Sequence, residues 1–332
     1  MKTRLLGNSN IALAEIGLGC MGMSEFYGPS DDQQSLATLT HALDMGVNFF
    51  DTADTYGLGH NERLLGEFIH QGGTARRRKA VIATKFGIVR QAGQYERRID
   101  NHPDYIRAAC EASLQRLGVD EIDLYYCHRR QADVPIEEVV GAMADLVHAG
   151  KVRQLGLSEI SPATLRRANA VHPIAAVQSE YSLWSREPEN GLLAVCAELG
   201  ASFVAYSPLG RAFLTGTVKS DTLTEDDFRK FNPRFQGEAA IINQVLVDEL
   251  QAFSTARGFT NAQIALAWLL NKYPHVIPIP GTRQMRYVEQ NVAAAAITLT
   301  AAELATLDEL FLPAHVSGAR YPKAGFAGVE QA

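Results

Sequence analysis

Asp51, Asp54 and Tyr56 fall within six residues at the end of an apolar stretch, GVNFFDTADTYG at positions 46–57. Val47, Phe49 and Phe50 read as a strand, and that strand stops at Asp51. Burying unpaired carboxylates is costly, so this is poor core material. The C-terminal end of a strand is, however, where α/β proteins place their chemistry. Asp51 and Tyr56 are therefore read as active-site residues. Asp54, with Thr55 and Gly57 beside it, fits a turn or cap.

Partners must come from other strand ends. Lys85, His128, Ser158, Gln178, Tyr206 and Gly281 all sit at or near the ends of apolar runs that read as strands. Lys85 is expected to pair with Asp51 and to lie near the Tyr56 hydroxyl. A nearby cation favours phenolate, so the phenol pKa is expected to fall from about 10. Tyr56 would then serve as a general acid or base. His128 would orient a substrate oxygen.

The elements that must position these groups alternate. A short hairpin over residues 3–16, turning at Gly7-Asn8-Ser9-Asn10, precedes a first strand running into GLGCMGM. Strands then follow at Val47–Asp51, Val81–Lys85, Ile122–His128, VRQLGLS ending at Ser158, AAVQSEYS, SFVAYSP and VIPIPG ending at Gly281. Helices are predicted between them, among them one over about 61–69. Strands alternating with helices imply a parallel sheet. Eight such units fit a closed (β/α)8 TIM barrel, here one domain over 1–332 with an N-terminal β-hairpin and extra C-terminal helices. A long loop at 209–240 and the tail after Pro313 would overhang the face that carries the strand ends.

The motifs resemble the aldo-keto reductase family. The carriers are GVNFFDTADTYG, VIATK, YYCHR, GLS at 156–158, YSPLG at 206–210 and IPGTR at 279–283, in the family's order over nearly the whole chain. The resemblance implies a barrel that binds NADP(H) in extended form at the C-terminal face. It implies a tetrad of Asp51, Tyr56, Lys85 and His128, with hydride passing to a carbonyl carbon and Tyr56 protonating the oxygen. It places Ser158 and Gln178 on the carboxamide and Tyr206 against the nicotinamide ring. Ser207, Leu209 and Gly210 would line the pyrophosphate. Gly281, Thr282 and Arg283 would meet the 2′-phosphate, with Gln290 and Asn291 near the adenine. Gln290 stands where many relatives carry Glu. His128 is followed by Arg129 where others have a bulkier aromatic, which should alter the substrate pocket. Tyr27, Phe86, Arg129 and Trp184 are the candidate pocket residues. A guanidinium also suits a phosphate on physical grounds, so Arg283 favours NADPH over NADH.

Composition narrows the partners. The chain has 332 residues, 46% hydrophobic and 20% charged, with a net charge of −6. That charge argues against nucleic acid or an anionic membrane as the main partner. No apolar run suggests a signal peptide or a membrane span, so a cytoplasmic protein is expected. The four cysteines lack metal spacing and read as reduced thiols. No metal is expected. The partner is a small carbonyl compound, and a homo-oligomer is allowed. An apolar, partly aromatic rim suits aldehydes or ketones of modest size.

Gly17-Leu-Gly-Cys-Met-Gly22 matches GxGxxG, but residues 24–30 intervene before a helix cap, so the Rossmann reading fails. Arg76–Lys79 reads as a solvated basic turn. Two other functions fit the same residues: a Schiff-base aldolase or lyase using Lys85, and a regulatory nicotinamide-binding protein like the potassium-channel β subunits.

Overall fold

The computed structural model describes residues 1–92, 97–218, 223–225 and 227–330. Part of the 209–240 loop therefore lies outside the described residues. Strands β1 (Thr3–Leu5) and β2 (Ala12–Ala14) form the antiparallel hairpin. The barrel strands are β3 (Leu18–Gly19), β4 (Phe49–Asp51), β5 (Val81–Phe86), β8 (Ile122–Cys127), β9 (Val152–Ser158), β10 (Ala176–Glu180), β11 (Ser202–Tyr206) and β12 (Val276–Pro278). They pair in parallel in that order. Between β5 and β8 the chain adds a second antiparallel hairpin, β6 (Ile88–Arg90) with β7 (Arg97–Ile99), which sequence reading missed.

The barrel closes at a seam between β3 and the end of β12. Gly19 bridges Gly281 in parallel, and the Gly17 amide donates to the Pro278 carbonyl at 3.0 Å. A Cβ on Gly17 would lie 2.7 Å from the Phe49 ring, and one on Gly19 would lie 2.9 Å from the Ile279 carbonyl oxygen. The GLG pair is thus there for close backbone approach, and the GxGxxG match has a structural cause.

Side-chain parity along each strand sorts the core into two layers. Phe49, Val81, Ala83, Leu124, Tyr126, Ala176, Val204 and Ile277 fill the barrel interior, with Leu6, Ile11 and Leu13 of the hairpin region in the same cluster. Phe50, Ile82, Phe86, Tyr125, Cys127, Leu157, Val177, Phe203 and Ala205 face the surrounding helices. Those helices are α1 (Asp32–Asp44), α2 (His60–Lys79), α3 (Pro103–Leu117), α4 (Ile136–His148), α5 (Pro162–Val171), α6 (Leu192–Leu199), α8 (Asn261–Lys272) and α9 (Met285–Ala293). Two further helices are α7 (Gly237–Ala256) and α10 (Ala301–Leu310), the extra C-terminal pair. Capping boxes start α8 and α10, each with a Thr at the cap and Gln or Glu three residues on.

Helix α2 runs well beyond the predicted 61–69, with a backbone break at Gly73 (φ 58°, ψ −157°). Its last turn holds the basic run, which is helical, with Arg78 and Lys79 exposed and Arg76 and Arg77 half-buried. Arg77 donates to the buried Asp123 carboxylate at 2.8 Å, and Arg76 lies 4.6 Å above the Phe68 ring. All four cysteines are buried free thiols. No helix among the described residues is long and apolar enough to cross a membrane.

Candidate active site

Strand parity brings the predicted residues together. In β4 Phe49 faces inward and Phe50 outward, so Asp51 faces inward. In β5 Val81 and Ala83 face inward, and so does Lys85. In β8 Leu124 and Tyr126 face inward, and His128 follows in the same register. Ser158, Gln178 and Tyr206 continue the inward rows of β9, β10 and β11. The same rule turns Phe86 away. Phe86 is fully buried against Tyr125, with ring centroids 5.0 Å apart, between sheet and helices. It is not a pocket residue, because adjacent residues of one strand cannot share a face.

The Lys85 Nζ donates to Asp51 Oδ1 at 2.5 Å and to the Thr52 carbonyl at 2.7 Å, and lies 3.5 Å from the Tyr56 hydroxyl. Lys85 is wholly buried, its ammonium committed to these oxygens, so a Schiff base would have to break that packing. Gln178 Nε2 donates to Asp51 Oδ2 at 2.8 Å, so both carboxylate oxygens are held. The loop carrying Tyr56 is tied down: the Thr52 and Asp54 amides donate to the Ala83 and Lys85 carbonyls at 2.8 and 3.1 Å. The His128 ring stands edge-on to Tyr56 at 5.8 Å.

Burial pushes the Tyr56 phenol well above its ordinary pKa, and the Asp51 carboxylate adds to that rise. The expectation of a lowered phenol pKa is therefore overturned, because desolvation of the phenolate outweighs the nearby cation. Burial also lowers the Lys85 ammonium, against the pull of Asp51. Asp54 is not a simple cap. Burial pushes its carboxyl up to about 8, with the Glu62 carboxylate contributing, and its Oδ1 is buried without a hydrogen bond.

The pattern of inward Asp51, Lys85 and His128 with Tyr56 above them spans three separate chain segments, and one family model covers all of them. The Aldo/keto reductase family model matches residues 15–311. The chain belongs to that family. It is 45% identical over 324 residues to a Schizosaccharomyces pombe protein named aldo-keto reductase yakc, specified for NADP(+), covering 96% of this chain and 94% of that one. It is similar in structure to the glycerol dehydrogenase AKR11B4 from Gluconobacter oxydans, with a TM-score of 0.85, 30% identity, and 94% and 96% of the two chains covered. It is also similar to an aldo/keto reductase from Klebsiella pneumoniae in complex with NADP and acetate, with a TM-score of 0.72, 30% identity, and 97% and 99% covered.

In this aldo-keto reductase the remaining predicted residues ring the same face. Ser158 is buried at the end of β9. Tyr206 closes β11, its hydroxyl 2.7 Å from Glu159 Oε1 and 2.8 Å from the Tyr321 hydroxyl. Ser207, Gly210, Arg211 and Ala212 all have positive φ (48°, 56°, 56° and 72°). Leu209 in the same turn packs on the core. A Cβ on Gly210 would lie 2.6 Å from the Trp184 ring. Trp184 is buried under this turn against Phe213 and Phe235. Gly281 forms the seam, Thr282 Oγ1 accepts the Gln284 amide at 3.1 Å, and Arg283 reaches back across β3. Its guanidinium donates to the carbonyls of Tyr27 at 2.9 Å, Gly28 at 3.3 Å and Pro29. A surface cavity of about 490 Å³ borders Arg283, lined also by Gln34, Thr38 and Gln284. On α9 Gln290 is half-buried and Asn291 buried.

Sequence reasoning missed an ionic layer above the strand ends. Arg320 of the tail pairs with Glu159 at 2.7 Å, Arg211 with Glu180 at 2.9 Å, and Arg229 with Asp227 at 2.6 Å. Tyr27 pairs antiparallel with Asp227 under the Arg229 guanidinium, joining the β3 loop to the β11 loop. Glu159 directly after the strand-ending Ser158 was a readable signal. Arg320 and Tyr321, in a tail without periodicity, carried none.

Proposed function

We propose that this chain is one catalytic unit that reduces aldehydes or ketones to alcohols with NADPH, reversibly. The observation that carries the reading is the Asp51–Lys85–Tyr56 contact set at the barrel mouth. Bound there, the nicotinamide supplies hydride to the carbonyl carbon. Tyr56 supplies the proton to the carbonyl oxygen, and burial keeps that phenol protonated at neutral pH. The phenolate left behind lies beside the Lys85 ammonium, which Asp51 holds in place. His128, beside Tyr56, orients the carbonyl oxygen.

The residues present fit the cofactor. Left-handed residues at 207 and 210–212 make an irregular turn after β11 whose backbone N–H groups suit a pyrophosphate. Ser207, Leu209 and Gly210 would hold it. Ser158 and Gln178 would hold the carboxamide, and Tyr206 would stack on the ring. Gly281, Thr282 and Arg283 would meet the 2′-phosphate, and Gln290 and Asn291 the adenine. Arg283 lies at a cavity edge with its head group held by three carbonyls, a preorganised cation. Four buried free thiols suit a reducing, cytoplasmic setting.

Titration with NADPH and NADH, followed by quenching of intrinsic fluorescence, tests this reading. NADPH binding at least about tenfold tighter than NADH binding is expected, a difference of about 1.4 kcal/mol. Consumption of NADPH with simple aldehydes should follow. No binding of either nucleotide would overturn it.

A further inference from the structure

Three arginines are buried among the described residues: Arg129, Arg234 and Arg320. Arg320 has Glu159 at 2.7 Å and Arg234 has Glu180 at 3.9 Å. Arg129 has no carboxylate within ion-pair distance among the described residues. Its guanidinium donates to the His128 carbonyl at 2.8 Å and to Ser158 Oγ at 3.3 Å, and its Nε is buried without a hydrogen bond. The carboxylates nearby are already matched, Glu159 by Arg320 and Glu180 by Arg211. Arg211 and Arg234 share Glu180, so guanidiniums outnumber carboxylates here, and Arg129 is the one among them with no direct carboxylate contact among the described residues. Burying this guanidinium is costly, Glu159 offsets that cost only in part because it is shared with Arg320, and an anion at hydrogen-bond distance would offset more of it.

Its place says which anion. Arg129 follows His128 at the end of β8, and its charge acts on both Tyr56 and Lys85. The turn proposed for the pyrophosphate follows β11, three strands further round the sheet, and Arg283 lies beyond β12. The sites proposed for the cofactor's phosphates thus lie elsewhere, while Arg129 stands beside His128, the residue proposed to orient the carbonyl oxygen.

We infer that Arg129 is a specificity-determining residue and that this site takes carbonyl compounds carrying a carboxylate, which the Arg129 guanidinium holds beside His128. The planar fork of a guanidinium matches a carboxylate through two parallel hydrogen bonds. This rests on the reductase reading for the reaction, but the binding claim stands apart from turnover. It also replaces an apolar rim with a charged anchor in the expected pocket.

Binding is tested first, by thermal shift with benzoate and with benzamide as its neutral counterpart. Benzoate should stabilise the native protein and benzamide should not. Arg129→Gln should abolish the benzoate effect, and Arg129→Lys should keep part of it. Equal shifts from the two ligands, or an unchanged benzoate shift in Arg129→Gln, would overturn the inference, whether or not any aldehyde is reduced. If Arg129→Gln fails to fold, the native protein and the Lys variant decide. Turnover is tested next, with 4-formylbenzoate and its methyl ester. The native enzyme should favour the acid in kcat/KM by about 10–100-fold, the range for a charged hydrogen-bonded contact. Arg129→Gln should lose that preference. A native preference for the ester would contradict the inference. Turnover of neither compound would count against the reductase reading, leaving the benzoate result to judge Arg129.

Discussion

Gln178 Nε2 donates to Asp51 Oδ2 at 2.8 Å while Lys85 holds the other oxygen at 2.5 Å. A residue expected only to hold the cofactor therefore also fixes the orientation of the Asp51 carboxylate. Gln178→Leu removes that donor from a buried, charged acceptor. A hydrogen bond to a charged group is worth about 1.5–3 kcal/mol. We expect kcat to fall about tenfold or more while the barrel still folds. Steady-state kinetics with circular dichroism checks this; unchanged kcat would show that Lys85 alone holds Asp51.

Asp54 carries a pH signature. Its folded pKa of about 8 lies above the ordinary carboxyl value. The unfolded chain loses this proton near pH 4 while the folded chain keeps it. Its contribution to stability is thus full below about pH 4 and is lost as pH rises to about 8. Asp54→Asn, which cannot ionise, should gain on the native protein between these limits and level off above. Thermal melts of both proteins at pH 5 and pH 8 test it. A melting difference that does not move with pH would refute it.

The tail clasp behaves oppositely. Burial raises the Glu159 carboxyl, but the Arg320 and Arg129 guanidiniums outweigh burial and hold it below its ordinary value. Its contribution is present above the ordinary Glu pKa and is lost as pH falls through the lower folded value. Breaking a buried pair from one side costs roughly 3–5 kcal/mol. Arg320→Ala should lower the melting temperature at pH 7. The loss should shrink in acid, and Glu159→Gln with Arg320→Ala should cost less than the sum. Additive losses would show that the pair is not coupled.

Much of this site could be read in the sequence because it follows one rule. Asp51, Lys85, His128, Ser158, Gln178 and Tyr206 end apolar runs, and inward parity carries each to the barrel mouth. The same rule, applied strictly, would have removed Phe86, since Lys85 and Phe86 are neighbours on one strand. The phenol pKa was misread because burial is a property of the folded mouth, not of the spacing between Tyr56 and Lys85. The β6–β7 hairpin and the Arg320–Glu159 clasp were missed for another reason. Short strands and tail contacts arise from tertiary packing and leave no periodic pattern. The Gly17 and Gly19 seam was visible as a motif, but its cause, close approach of β12 to β3, was not.

In the proposed reaction Tyr56 gives the proton. Tyr56→Phe keeps the ring against His128 and removes only the hydroxyl. The direct measurement is kcat for aldehyde reduction alongside the NADPH dissociation constant, native against variant. A loss of kcat of about 100-fold or more is expected, the scale of a general acid's contribution, with NADPH binding within about threefold of native. A variant that turns over at near-native rate would contradict it.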